Sequence, residues 1–382
     1  MRAIKFRQQR GTEMKVFTRI RLIAKRWAQA LRKLLIMKGT NQLLAFLMIG
    51  LSIQAVRGQS PQVGIIDFYG VRSIKTDIRK CLPFKENDTI NFLLTLPDTT
   101  GYAKLNRTII GCLLVNPEIK RAKMEFVCCV DSKWMVFIGV STEALTVKKN
   151  LKTKDIRLPS EITRMYDSVQ LLWLTAIQTG EAGEDYSQGH ALSTNTPLRK
   201  LEEKFIPYSV KYIDQLRDVL NHSMYSSDRV AASWAIAYYY DKSAIVNDLS
   251  EAAKDDNEDV RNNAIRGLGI IINYLQQKPE MKISISPDPF ISLLNSISWT
   301  DRNKSIIVLL SLTNNRDPNL LSKLKQEALE PLIDMASWKS YGHAINGYTV
   351  LGRIAGWTED EIFESSKKNR SDMINKMLLT IK

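Results

Sequence analysis

Histidine is scarce in this chain of 382 residues, with three copies at His190, His222 and His343. None stands in an HExxH spacing and none pairs with cysteines as in a zinc finger, so the common metal chemistries have no motif here. No GxSxG elbow and no GxxxxGK[ST] loop occurs, which removes the α/β-hydrolase nucleophile and the nucleotide P-loop. Gly180, Gly183 and Gly189 follow no strand-like run and make no phosphate cradle. No cofactor is implied. Acidic residues are nearly absent from positions 1–58, where Glu13 stands alone against 13 Lys and Arg. That stretch holds +12 of the net charge of +14, leaving +2 for residues 59–382. A body so close to neutral lacks the basic footprint of a nucleic-acid binder, and no nucleic-acid partner is expected. Apolar material is not lacking. With 44% hydrophobic and 8% aromatic residues, the chain can fill cores in two or three domains.

Long hydrophobic runs are also missing. The best is NQLLAFLMIGLSIQAV at residues 41–56, short of the roughly 20 residues that cross a membrane and within the roughly 7–15 of a signal-peptide core. Val56-Arg57-Gly58 then suits cleavage before Gln59. The expectation for residues 1–58 is a basic extension and an export signal, giving a periplasmic or secreted protein. The alternative is an anchor in the inner membrane by an uncleaved signal. Translation from Met37 would give a compact signal. Upstream of it, Val16, Ile20, Ile23, Trp27, Leu31 and Leu34 recur at helical spacing among basic residues. If translated and retained, residues 14–36 would contact an anionic membrane surface.

Residues 59–148 read as a small α/β domain. Val63–Tyr69 is a strand ending at Gly70, and Ser73–Leu82 and Asn106–Val115 are helical runs. Lys123–Val130 and Lys133–Val140 form a hairpin through Asp131-Ser132. All four cysteines lie here: Cys81, Cys112, Cys128 and Cys129. In an exported protein they predict at least one disulfide, with three possible connectivities. Strand alternation puts Cys128 with Met124, Phe126 and Val130, toward the helices carrying Cys81 and Cys112, so either could be its partner. Buried free thiols are the alternative. The order strand, helix, helix, strand, strand resembles the POTRA domain of bacterial envelope proteins. That resemblance implies a module that binds polypeptides, often by adding a strand at a sheet edge.

The rest of the chain is helical. Residues 149–200 hold a helix, Glu161–Gln178, and a polar Gly-rich connector at 180–197. From residue 201 to 382 helices repeat in pairs: Leu216–Leu220 with Val230–Tyr240, and Val246–Ala253 with Val260–Leu275. Further runs follow at Pro289–Ser298, Asp301–Leu312, Pro318–Ser337, His343–Ala355 and Glu359–Lys367. Such pairs bury their faces against their neighbours in an α-solenoid. Trp173, Trp234, Trp299, Trp338 and Trp357 are expected mostly in its core, and Thr300 or Asp301 as a helix N-cap. The run DDNEDVRNNA at 255–264 resembles a HEAT repeat. The resemblance makes Asp256 the cap of the turn, Val260 a core residue, Arg261 a side chain reaching back to the turn, and Ala264 the point of close approach. The earlier unit departs from the pattern, with Ala231 where Arg is expected and Trp234 at the small position. Residues 180–360 are similar to exported bacterial HEAT-repeat proteins without an assigned activity. Residues 184–190, 260–264, 298–304 and 351–356 carry that similarity.

The fold class expected is mainly α, a HEAT-like solenoid preceded by a POTRA-like α/β domain. The function expected is a non-enzymatic interaction scaffold of the bacterial envelope, with protein partners in the envelope or outside the cell. Asn262, Asn263, Arg266, Arg302, Asn303 and Lys304 lie on polar helix faces without a core role, and are the candidate partner-binding residues. The alternative is an enzyme or metal site at Glu184, Asp185 and His190, with His343 brought near by folding.

Overall fold

The computed structural model describes residues 62–71, 74, 76–90, 101–131, 133–143 and 152–381. The export signal, the amphipathic stretch 14–36 and the side chains of Cys128 and Cys129 lie outside the described residues.

The chain opens with β1 (Val63–Tyr69), followed by a 3-10 turn at Ile78–Cys81 and helix α1 (Gly101–Val115). Strands β2 (Arg121–Val130) and β3 (Lys133–Ser141) complete a three-stranded sheet of order β1-β3-β2. β1 runs parallel to β3, and β2 antiparallel to it. Among the described residues of the helix expected over Ser73–Leu82 there is one turn, begun by the Asp77 side chain accepting from Arg79 N–H. Its end follows from Pro83, which drives Leu82 into the extended conformation observed. Cys81 in this turn is bonded to Cys112 of α1. This pairing is one of the three connectivities open in the sequence, and it leaves neither Cys81 nor Cys112 as a partner for Cys128. The bond joins the turn to the helix.

Because β3 is central, both of its faces are buried. Val136, Ile138 and Val140 meet Ile109 and Leu113 of α1 on one side. Met135 and Phe137 face the other way, into the core of the helical array.

Helix α2 (Ser160–Thr179) and a two-residue hairpin, β4 (Glu184–Asp185) with β5 (Leu192–Ser193), lead to short helices α3 (Thr196–Glu202) and α4 (Phe205–Lys211). Then come the pairs α5 (Ile213–His222) with α6 (Ser226–Ile236), and α7 (Val246–Ala252) with α8 (Glu258–Gln277). They are followed by α9 (Asp288–Leu293) with α10 (Trp299–Leu312), and α11 (Pro318–Ala336) with α12 (Tyr341–Ile354). The second helices α6, α8, α10 and α12 pack side by side, and α5 on α7 and α9 on α11 form the other layer. This is a helical-repeat solenoid. Helices α13 (Glu359–Ser366) and α14 (Arg370–Ile381) close its end with Ile362, Met373, Ile374 and Met377. α14 lies within the helical stretch expected to residue 382, beyond the last run named individually, Glu359–Lys367.

The sheet face carrying Phe137 does not stand free. Each turn between paired helices is met by a segment from before the array. Ser223 Oγ donates to Ile156 O (2.7 Å), and Met224 N–H to Lys154 O (3.0 Å). Lys152 pairs with Asp255, and Lys123 of β2 with Glu258. Tyr69 Oη donates to Ile297 O (2.8 Å), and Glu125 accepts from Trp299 N–H (2.6 Å). Asp67 accepts from Lys339 N–H at 3.0 and 3.1 Å. Phe137 fills the centre between Trp299, Trp338 and His343, with ring centroids 5.2–5.9 Å away.

Candidate interaction surface

The polar residues of the second helices divide into those used inside the chain and those that are not. Arginines form the first group. Arg229 at the start of α6 is buried and holds Asp255 through Nε and Nη2 at 3.0 and 2.9 Å, and Asp256 at 2.6 Å. Burial pushes the Asp255 carboxyl up, but hydrogen bonds led by that from Arg229 outweigh it and hold the group well below the usual carboxylate range. One pair later, Arg261 holds Asp301 at 3.0 and 2.7 Å, and reaches back to the carbonyls of Asp255 (2.7 Å) and Asp256 (3.1 Å). Further on, Arg353 bonds Leu310 O, Thr313 and Asn314. These guanidiniums tie each pair to another. The unit with Ala231 therefore takes its arginine from two positions earlier, at 229.

Two caps lie elsewhere than the sequence indicated. Asn257, not Asp256, caps α8, accepting from the N–H groups of Asp259 and Val260. Asp256 is open to solvent and serves Arg229 instead. Asp301 caps nothing, because Arg261 and Ser296 Oγ take its carboxylate. Val260 and Ala264 are buried without remainder. Trp234 and Trp338 are buried, while Trp173, Trp299 and Trp357 are partly so.

Of the six candidate partner-binding residues, three have internal partners. Asn263 Nδ2 donates to Val230 O (3.0 Å) and to Tyr166 Oη of α2 (3.3 Å). Arg302 donates to Ser296 O (2.6 Å), with its guanidinium 4.5 Å from the centre of the Tyr69 ring. Arg266 is paired with Glu184 and lies 4.3 Å over the Trp234 ring. Asn262, Asn303 and Lys304 remain half-exposed on α8 and α10. Ile307, one turn beyond Asn303, is 41% exposed.

The β4–β5 hairpin does not gather Glu184, Asp185 and His190 into a site. Glu184 pairs with Arg266 and accepts from Tyr186 Oη (2.8 Å). Asp185 turns to Ser187 N–H and Arg199. His190 is buried with its ring 5.5 Å from that of Tyr238. Burial, with Lys242 nearby, pushes its pKa down to about 4. His343 is elsewhere, edge-on to Phe137 and Trp299. Among the described residues, no three His, Cys, Asp or Glu side chains are grouped to hold a metal.

No protein-family model matches the chain, and no curated protein is similar to it in sequence. Solved structures similar to it are designed armadillo repeat proteins. One, from a study of computationally designed armadillo repeat proteins for modular peptide recognition, is 14% identical, with 58% of this chain and 100% of that one covered and a TM-score of 0.32. A second is 18% identical over 49% of this chain and 94% of that one, at TM-score 0.30. A third, in complex with the peptide (KR)4, is 15% identical over 58% and 100%, at TM-score 0.32. Likenesses at this level add nothing to the repeat architecture described above.

Two buried groups were invisible in the sequence. Glu202 of α3 accepts from Ser193 N–H (2.6 Å), and burial pushes its pKa up to about 7. Lys242 donates to Ala237 O (3.0 Å) and Tyr239 O (2.5 Å), and burial brings its pKa down to about 8. Both would pass for surface charges, as neither stands in a motif. Among the described residues, no helix is long and apolar enough to cross a membrane.

Proposed function

We propose that this chain is a non-enzymatic interaction scaffold that binds another polypeptide across α8 and α10. One observation carries the proposal. Arg229, Arg261, Arg302 and Arg353 are all taken up in holding the chain together, whereas Asn262, Asn303, Lys304 and Ile307 share neighbouring helices and serve no comparable contact. A braced helical array offers such side chains on a nearly rigid surface, so little ordering cost falls on binding. The POTRA-like module, in this reading, acts chiefly as the brace, since one sheet face is spent on the helix turns. Export rests on the sequence of residues 41–58 and would place the partner in the envelope or outside the cell.

The test is capture of partners from intact cells by the tagged full-length chain after chemical cross-linking, compared with the double variant Asn303→Arg, Ile307→Arg. A single enriched polypeptide that the double variant loses supports the scaffold. A partner retained equally by both removes α10 from the binding surface.

A further inference from the structure

Helix α2 buries one side and leaves the other bare. Ile162, Val169 and Ala176 are fully buried against the helical array. On the outer side Leu171, Leu174 and Ile177 are 67%, 59% and 59% exposed. Spaced by three, they form one stripe along the second half of the helix. Together they leave on the order of 300 Å² of apolar surface in water, the range in which an exposed patch marks a contact site. Charges of opposite sign stand at its two ends. Arg164, two turns before Leu171 on the same side, is exposed and forms no ion pair among the described residues. Just past the helix end Glu181 is also exposed, its N–H returning to Ala176 O (2.8 Å) and one carboxylate oxygen accepting from Asn195 Nδ2 (2.8 Å).

We propose that this stripe docks a second copy of the chain, with α2 packed antiparallel on its counterpart about a two-fold axis. A two-fold contact requires one surface to supply both halves of every pair, and α2 does so. With the axis level with the midpoint between Leu172 and Trp173, Leu171 of each copy meets Leu174 of the other, and Arg164 of each lies opposite Glu181 of the other. Arg164 also approaches the carbonyl end of the other α2, where a cation is favoured. Moving the axis to Leu174 would set Asp167 opposite Glu181, two like charges, and this fixes the register. An anionic membrane surface would accept the apolar stripe but would meet the exposed Asp167 and Glu181 beside it. The contact does not use the α8 and α10 residues assigned to the partner, and a dimer carries that surface twice. One 20-residue helix pair covers less than the roughly 800 Å² per partner of a standard interface, so the dissociation constant is expected on the order of 10 µM.

The test is sedimentation velocity of the full-length chain at rising concentration, beside Leu174→Glu, Arg164→Glu and the exchange Arg164→Glu with Glu181→Arg. The chain is expected to pass from monomer to dimer. Leu174→Glu should weaken association at least about tenfold, because it sets a carboxylate in an apolar contact. Arg164→Glu should weaken it as well, and the exchange should restore it. Far-UV circular dichroism should be the same throughout, since every substituted side chain is exposed. A chain that stays monomeric to about 200 µM, far above the expected constant, would overturn the proposal; co-sedimentation of that monomer with phosphatidylcholine vesicles would give the stripe to lipid instead. A dimer indifferent to Leu174→Glu, as association through residues 41–56 would be, overturns it too. A dimer that the exchange fails to restore overturns the two-fold pairing.

Discussion

Glu125 of β2 accepts a 2.6 Å hydrogen bond from the backbone N–H of Trp299, the first residue of α10 and 174 positions further along the chain. The donor is one of the helix N-terminal N–H groups that the helix itself cannot satisfy. A strand side chain thus finishes a solenoid helix. The same carboxylate lies 3.2 Å from Lys123, which also pairs with Glu258 of α8. Two neighbouring helices are therefore fixed by two residues of one strand.

Removing that acceptor should be felt by the whole molecule. Glu125→Ala leaves the Trp299 N–H without its partner and is expected to lower stability by about 1–3 kcal/mol, the usual cost of a buried unsatisfied group. Urea unfolding followed by tryptophan fluorescence would read it. An unchanged midpoint would mean that the sheet contributes nothing to the array.

The arginine ladder makes a second prediction. Arg229→Ala leaves the Asp255 carboxylate, whose side chain is fully buried, to Lys152 and the Asn257 N–H. The expected cost is about 3–5 kcal/mol, as for other buried pairs broken on one side. Adding Asp255→Asn should return part of that loss, because a neutral amide is cheaper to bury than a charge. If the double variant is no better than the single, packing rather than charge explains the effect.

Stability should depend on pH in two opposing ways. Glu202, raised from 4.5 to about 7, binds its proton more tightly when folded. Its contribution is therefore present below about pH 4.5 and is lost as pH rises to about 7. His190, lowered from 6.5 to about 4, is neutral when folded. Its contribution rises as pH goes from about 4 to 6.5, because the unfolded chain holds the extra proton there. The two offset each other between pH 4.5 and 6.5. Glu202→Gln should remove the falling limb and make stability climb over that interval. A pH profile of chemical unfolding that is the same with and without the substitution would contradict the assignment.

The Cys81–Cys112 bond closes 31 residues and joins the Ile78–Cys81 turn to α1. A non-reduced peptide map should show a Cys81–Cys112 crosslink. Cys112→Ser is expected to cost about 2–4 kcal/mol. A bridge from Cys128 to either residue would contradict the observed pairing.

The local patterns legible in the sequence were those that repeat or alternate. The 30-residue spacing of Val230 and Val260 announces the helix pairs, and the two apolar runs joined by Asp131-Ser132, with alternation along the first, announce the β2–β3 hairpin. Partnership over long distances was not legible. Nothing in Phe137 or Glu125 as residues says that a sheet face will meet helix turns, because an apolar face reads the same whether it covers its own helix or another domain. Nor does the pattern tell apart a polar residue facing solvent from one spent indoors. Asn263 and Arg302 lie within one turn of Asn262 and Lys304 and match them in residue kind, yet Asn263 and Arg302 are buried against carbonyls. Asp256 and Asn257 illustrate the same limit at shorter range: both are good caps by residue type, and Arg229, from the preceding pair, engages the first.

Site-specific photo-cross-linking tests the binding surface most directly. A benzophenone amino acid placed at Asn303 in the full-length chain, in cells, should join it to one polypeptide, and the same group at Lys325 of α11 should not. Cross-links from Lys325 alone, or equally from both positions, would contradict the claim that α8 and α10 carry the partner.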